Sequence, residues 1–210
     1  MKLSDFVIIF CGLVMCMMMP VYLGNEINFV TRREAVSTKM ILDGIVEDAL
    51  AAGYSGINPN LQPVIDEISV IDSFYEEWEL FFESKKNTPR IICVLLLKDN
   101  ELLEYQDGDW SIVFGQEMYL KSEKNEGESN YTTIHEMLVN DINSHINKRI
   151  RDSNLWETHY EVQFTRNDGE EYVQTIQENS FIVVAAVGGI VDFGDKNSCN
   201  RILLSVATIK

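Results

Sequence analysis

The sequence predicts an α+β protein: an N-terminal transmembrane helix extended by an amphipathic helix, then an antiparallel sheet packed with two long helices. Three observations predict it. An uncharged run, Phe6–Leu23, opens the chain of 210 residues. Two later segments repeat apolar residues every three or four positions, as helices with one buried side do. Beyond residue 90, short runs rich in Val, Ile and Leu are separated by Asp, Asn and Gly turns, as in an antiparallel sheet. The chain divides accordingly into a transmembrane helix at 1–24, an amphipathic spine at 25–55 and a globular domain at 56–210.

The first element rests on length. Phe6–Leu23 contains 18 residues with no charged or amide side chain. At about 1.5 Å per residue such a helix is roughly 27 Å long, enough for a hydrocarbon core. A removable signal would be shorter and end in small residues, whereas this run ends Met17-Met18-Met19-Pro20-Val21-Tyr22. A lipid-anchor box ending at Cys16 would need a small residue where Met15 stands. The run is therefore read as a retained helix, kinked by Pro20 and with Tyr22 at the interface. Counting Arg32, Arg33 and Lys39 against Lys2 would by itself put the body on the cytoplasmic side.

The spine follows. From Glu34 to Leu50, Ala35, Thr38, Leu42, Ile45 and Ala49 step by three and four, with charged residues opposite, and Gly53 stands where a helix would end. This arrangement resembles the bacterial type IV pilins and pseudopilins, the TadE-like minor pilins above all. They share a short polar start, an acidic residue at position 5, an apolar span, an amphipathic half-helix and a globular cap. The resemblance covers residues 1–55. It lacks a prepilin-peptidase site before the apolar run and has Asp5 where that family has Glu. It implies an exported body and assembly through the N-terminal helix. The packing residues would be Asp5, Phe6, Ile9, Gly12, Leu13, Met17, Leu42, Ile45 and Ala49.

In the globular part, Leu61–Ser84 reads as a helix with Val64, Ile68, Ile71, Tyr75, Trp78, Phe81 and Phe82 on one side. Arg90–Lys98 is apolar throughout, as a strand buried on both faces would be. Glu101–Gln106 and Trp110–Phe114 flank Asp107-Gly108-Asp109, a hairpin signal. Thr132–Arg151 reads as a second helix along Ile134, Leu138, Ile142, Ile146 and Ile150. Thr132 or Thr133 is its expected cap, with Glu136 completing a capping box. His159–Arg166 and Glu171–Ile176 read as another hairpin around Asn167-Asp168-Gly169. The apolar runs near residues 181 and 201 complete the sheet, and the two long helices are expected together on one of its faces.

The residues that could carry chemistry do not converge. His135 and His145 are ten positions apart on one helix, too far around and along it to share a metal, and His135-Glu136 lacks the second His of a zinc-protease motif. Asp192-Phe193-Gly194 has none of the other kinase motifs. Gly188-Gly189 suits a bend, and Asp192, Asp195 and Asn197 suit a polar turn. No metal, cofactor or catalytic residue is expected. Cys93 and Cys199 are either two buried thiols or, in an oxidising exterior, a disulfide. With 17 basic against 33 acidic residues and a net charge of −16, the chain would repel a phosphate backbone, so nucleic acid is not an expected partner.

The reading that follows is a non-enzymatic, membrane-anchored, pilin-like subunit of a cell-surface filament or a secretion or adhesion assembly. Its partners would be the membrane and copies of itself or related subunits. It would be a single-pass protein with an exported C-terminal domain. The alternative is a membrane-tethered binding or sensor module whose helix is only an anchor.

Overall fold

A computed structural model of the chain describes residues 3–59, 62–83, 88–115, 131–153, 164–165, 174–175, 178–187 and 201–209. The side chains of residues 3–13, 16–17, 20–21, 23–32, 131–137, 164–165 and 174–175 lie outside the described ones. The fold is α+β, as the sequence implied.

The first helix, α1, runs from Leu3 to Gly53, and its backbone continues through Pro20 and Gly24. Among the described residues no helix is long and apolar enough to cross a membrane. Most side chains of the uncharged run at 6–23, on which the expected span rests, lie outside them. From Ala35 onward α1 is part of the body: Ala35, Leu42, Ile45, Val46, Ala49 and Leu50 are buried in a core shared with the sheet. The boundary expected at residue 55 therefore runs through a packed core.

Gly53 closes α1 for a different reason from the one expected. It does not take up the left-handed conformation of a helix-terminating glycine. Instead the chain passes so close to the next helix that a Cβ there would meet Val70 Cγ2 at 2.2 Å and the Asp66 carbonyl at 2.9 Å.

A ribbon follows, with β1 (Tyr54–Ile57) antiparallel to β2 (Pro63–Ile65). The ribbon takes Val64 out of the expected helix, so α2 begins later and spans Glu67–Phe82. Asp66 caps it, accepting hydrogen bonds from the Ile68 amide at 3.3 Å and the Ser69 hydroxyl at 2.6 Å. The buried side of α2 is Val70, Ile71, Phe74, Trp78 and Phe82, whereas Ile68 and Phe81, expected on that side, are exposed. The late start explains the shift, because residues before Glu67 set no helical phase.

The main sheet has the order β5-β4-β3-β8-β9, antiparallel throughout. Its strands are β3 (Arg90–Lys98), β4 (Glu101–Gln106), β5 (Asp109–Phe114), β8 (Ser180–Val187) and β9 (Arg201–Thr208). Asp99-Asn100 joins β3 to β4 and Asp107-Gly108 joins β4 to β5. All four residues have positive φ, which is the backbone that a two-residue hairpin turn needs. A minor pair, β6 (Phe164–Thr165) with β7 (Gln174–Thr175), is parallel. This corrects the expected hairpin: parallel strands cannot be joined by a two-residue turn.

The helices do not share one face of the sheet. Val94, Leu96, Phe181, Val183, Ala185 and Leu203 pack toward α1 and α2. Leu95, Leu97, Leu102, Ile182 and Val184 pack toward the third helix, α3 (Tyr131–Asp152), through Leu138, Ile142, Ile146 and Ile150. The physical reason lies in β3 and β8. Both are apolar on alternate residues of both kinds, so each face needs its own cover. α3 starts at Tyr131, ahead of the expected Thr132 or Thr133 cap, and the capping side chains lie outside the described residues.

Candidate functional site

The expected site is the assembly surface of α1, and the structure divides its residues into two groups. Leu42, Ile45 and Ala49 are at most 1 % exposed, packed inside the chain's own core. They are not available to a partner, which corrects their assignment as assembly residues. Their step of three and four marks a buried stripe, and periodicity alone does not say whether the cover comes from the same chain or another. The side chains of Asp5, Phe6, Ile9, Gly12, Leu13 and Met17 lie outside the described residues.

The described apolar side chains that α1 leaves open are others. Met15, Met18, Met19 and Tyr22 step by three, one and three and are all exposed, as are Val36 and Met40 further along. At 3.6 residues per turn these six fall on one side of the helix, roughly opposite the buried stripe. Arg33 and Gly44 are exposed on the same side, and Glu47 follows beyond them. Beyond its chain neighbours and the adjacent backbone of the helix, no heavy atom lies within 4 Å of where a Gly44 Cβ would stand.

Polar contacts fix how this helix sits. Asp43 is held by Lys39 one turn earlier and accepts a hydrogen bond of 2.6 Å from the Ser205 hydroxyl on β9. Ser205 is fully buried, so this bond satisfies a hydroxyl that would otherwise oppose burial. At the start of α2, Lys98 reaches the Glu67 carboxylate at 2.5 Å and the Ile65 carbonyl at 2.9 Å, tying the ribbon to the sheet.

A second polar cluster lies under α3. Glu104 on β4 points inward and is 5 % exposed. Its carboxylate lies 3.0 Å from His145 Nε2, accepts a 2.7 Å bond from Arg149, and has Arg149 Nε 2.7 Å from its other oxygen. Arg149 also donates to Gln106 at 2.7 Å, and the ring of Phe114 meets His145 edge-on with centroids 6.1 Å apart. Burial pushes the Glu104 carboxyl up, but the hydrogen bonds from His145 and Arg149 outweigh it and leave the group below its ordinary value. The same contact holds the Arg149 guanidinium above its own. A carboxylate so committed is a structural ion pair.

His145, which the sequence left without a metal partner, is largely buried, with 14 % of its side chain exposed. His135 and His159 have side chains outside the described residues. Sequence reasoning missed Glu104 and Arg149, although a signal was present. Leu102 and Glu104 alternate onto one face of β4, which puts an acid inside, and His145 and Arg149 sit one turn apart beside the apolar row of α3.

Cys93 is a free, buried thiol, pushed well above its ordinary pKa by desolvation. Cys199, its expected partner, lies outside the described residues, as do Gly188-Gly189 and Asp192–Asn197. Among the described residues no group of three or more His, Cys, Asp or Glu side chains could hold a metal ion. Compared with protein-family models, with curated proteins and with solved structures, the chain matches none.

Proposed function

We propose that this chain is a non-enzymatic, membrane-anchored subunit of a pilin-like cell-surface assembly, held and joined to its neighbours through its N-terminal helix. The observation that carries the reading is α1 itself: one helix of 51 residues whose later part is built into the body. Its earlier part carries exposed Met15, Met18, Met19 and Tyr22. Apolar residues left open there need lipid or another protein as cover. Methionine side chains, unbranched and polarisable, suit both surroundings. The uncharged run of 18 residues supports an anchor of membrane length, and the excess of acid would keep the exported body soluble.

The test is an intact-mass and N-terminal analysis of the chain recovered from sheared surface material and from membranes. Recovery in the sheared fraction with residues 6–23 still attached supports the reading. Confinement to membranes, or loss of residues 1–24, rejects it and leaves an anchor or a signal. Substitution must avoid Leu42 and Ile45, where a charge would unfold the body. Met18→Glu, on an exposed side chain, removes the chain from sheared material while the body stays folded by circular dichroism.

A further inference from the structure

Arg33, Val36, Met40, Gly44 and Glu47 are spaced by three, four, four and three along α1, and all five are exposed. They lie on the side of the helix turned away from Leu42, Ile45, Val46 and Ala49, so the body does not cover them. The order of their chemistry is reversed about the centre: a cation, an aliphatic, a methionine, a glycine and an anion. Among the described residues neither Arg33 nor Glu47 has an ion-pair partner.

We propose that a second copy of this chain docks antiparallel on this face, about a two-fold axis at Met40. In that arrangement residue i of one copy meets residue 80 − i of the other, as an isologous contact requires. Arg33 then faces Glu47 twice, Val36 faces Gly44 twice, and the two Met40 side chains meet on the axis. Gly44 has no side chain and open space before it, which admits the Val36 of the partner and a close approach of the helices. A parallel in-register pair would set Arg33 against Arg33 and Glu47 against Glu47, and charge repulsion disfavours it.

The pairing goes beyond the proposed function, because it uses residues 33–47 and not the N-terminal run. It rests on that reading only for its setting. Antiparallel helices send their N-terminal halves in opposite directions, so anchored copies would meet across two facing surfaces and not within one membrane.

The experiment uses the full chain in mild detergent. Sedimentation equilibrium measures the dimer, and Met40→Cys is oxidised and its linked peptides are mapped by mass spectrometry. The expected result is a dimer, a peptide joining position 40 to position 40, and dissociation constants raised about tenfold or more by R33E or E47R alone. The double variant R33E/E47R restores the native value, because the charges still oppose. A monomer at tens of micromolar overturns the proposal. So does a dimer indifferent to the single reversals, or one that R33E/E47R fails to restore. Vesicle flotation of the unsubstituted chain reads anchoring separately, so a chain that floats with vesicles but does not pair counts against this inference alone.

Discussion

Arg149 of α3 donates to the buried carboxylate of Glu104 on β4 at 2.7 Å, joining the helix to a strand 45 residues earlier in the chain. The apolar row of α3 supplies contact without direction, since Leu138, Ile142, Ile146 and Ile150 could slide along the sheet. The ion pair, with His145 beside it, sets one position.

Removing the Glu104 side chain should therefore loosen α3. Glu104→Ala removes the acceptor that Arg149 and His145 share and leaves Arg149 only its bond to Gln106. Because Arg149 keeps partial contact with water, the cost is about 2–3 kcal/mol, below that of a fully buried pair. Urea unfolding followed by circular dichroism measures it, and a change within error of zero would mean that the apolar row alone places the helix.

The same pair makes a prediction in pH. The folded carboxyl of Glu104 lies below its ordinary value of 4.5. A depressed acid contributes stability above the unfolded value, and the contribution disappears as pH falls through the folded one. The stability of the native chain should thus decline below about pH 4.5 more steeply than that of Glu104→Gln, which has no proton to take up. Parallel slopes for the two proteins would exclude this origin.

Gly53→Ala should destabilise the body by about 1–3 kcal/mol, because the added methyl overlaps Val70 Cγ2 and crowds the Asp66 carbonyl. Adding Val70→Ala removes the first clash and leaves the second, so the double variant recovers part of the loss relative to Val70→Ala alone. A double-mutant cycle on thermal or urea midpoints gives the coupling. Additive effects would show that the backbone shifts freely at this crossing.

Cys93 should be silent toward alkylating reagents in the native protein, since reaction requires a thiolate and burial opposes one. Peptide mapping after iodoacetamide treatment should find it unlabelled until denaturant is added. Native labelling at Cys93 would mean that α3 opens readily from its face of the sheet.

Much of this fold is legible locally. The five antiparallel strands, the turn at Asp107-Gly108 and the apolar row of α3 all follow from spacing and turn chemistry within a few residues. Those signals are local because backbone preference and side-chain periodicity act over one or two turns. The charge balance, the uncharged run and the absence of known catalytic motifs are likewise properties of the sequence by itself. What the tertiary structure alone decided is which surfaces meet. It placed α1 and α2 on one face of the sheet and α3 on the other, and turned Leu42, Ile45 and Ala49 inward to the chain's own core. It also left Met15, Met18, Val36 and Met40 open and set Glu104 against Arg149. Each of these joins residues far apart in the chain. A stripe of apolar residues states only that it must be covered, and the partner that covers it is chosen by the packing of the whole.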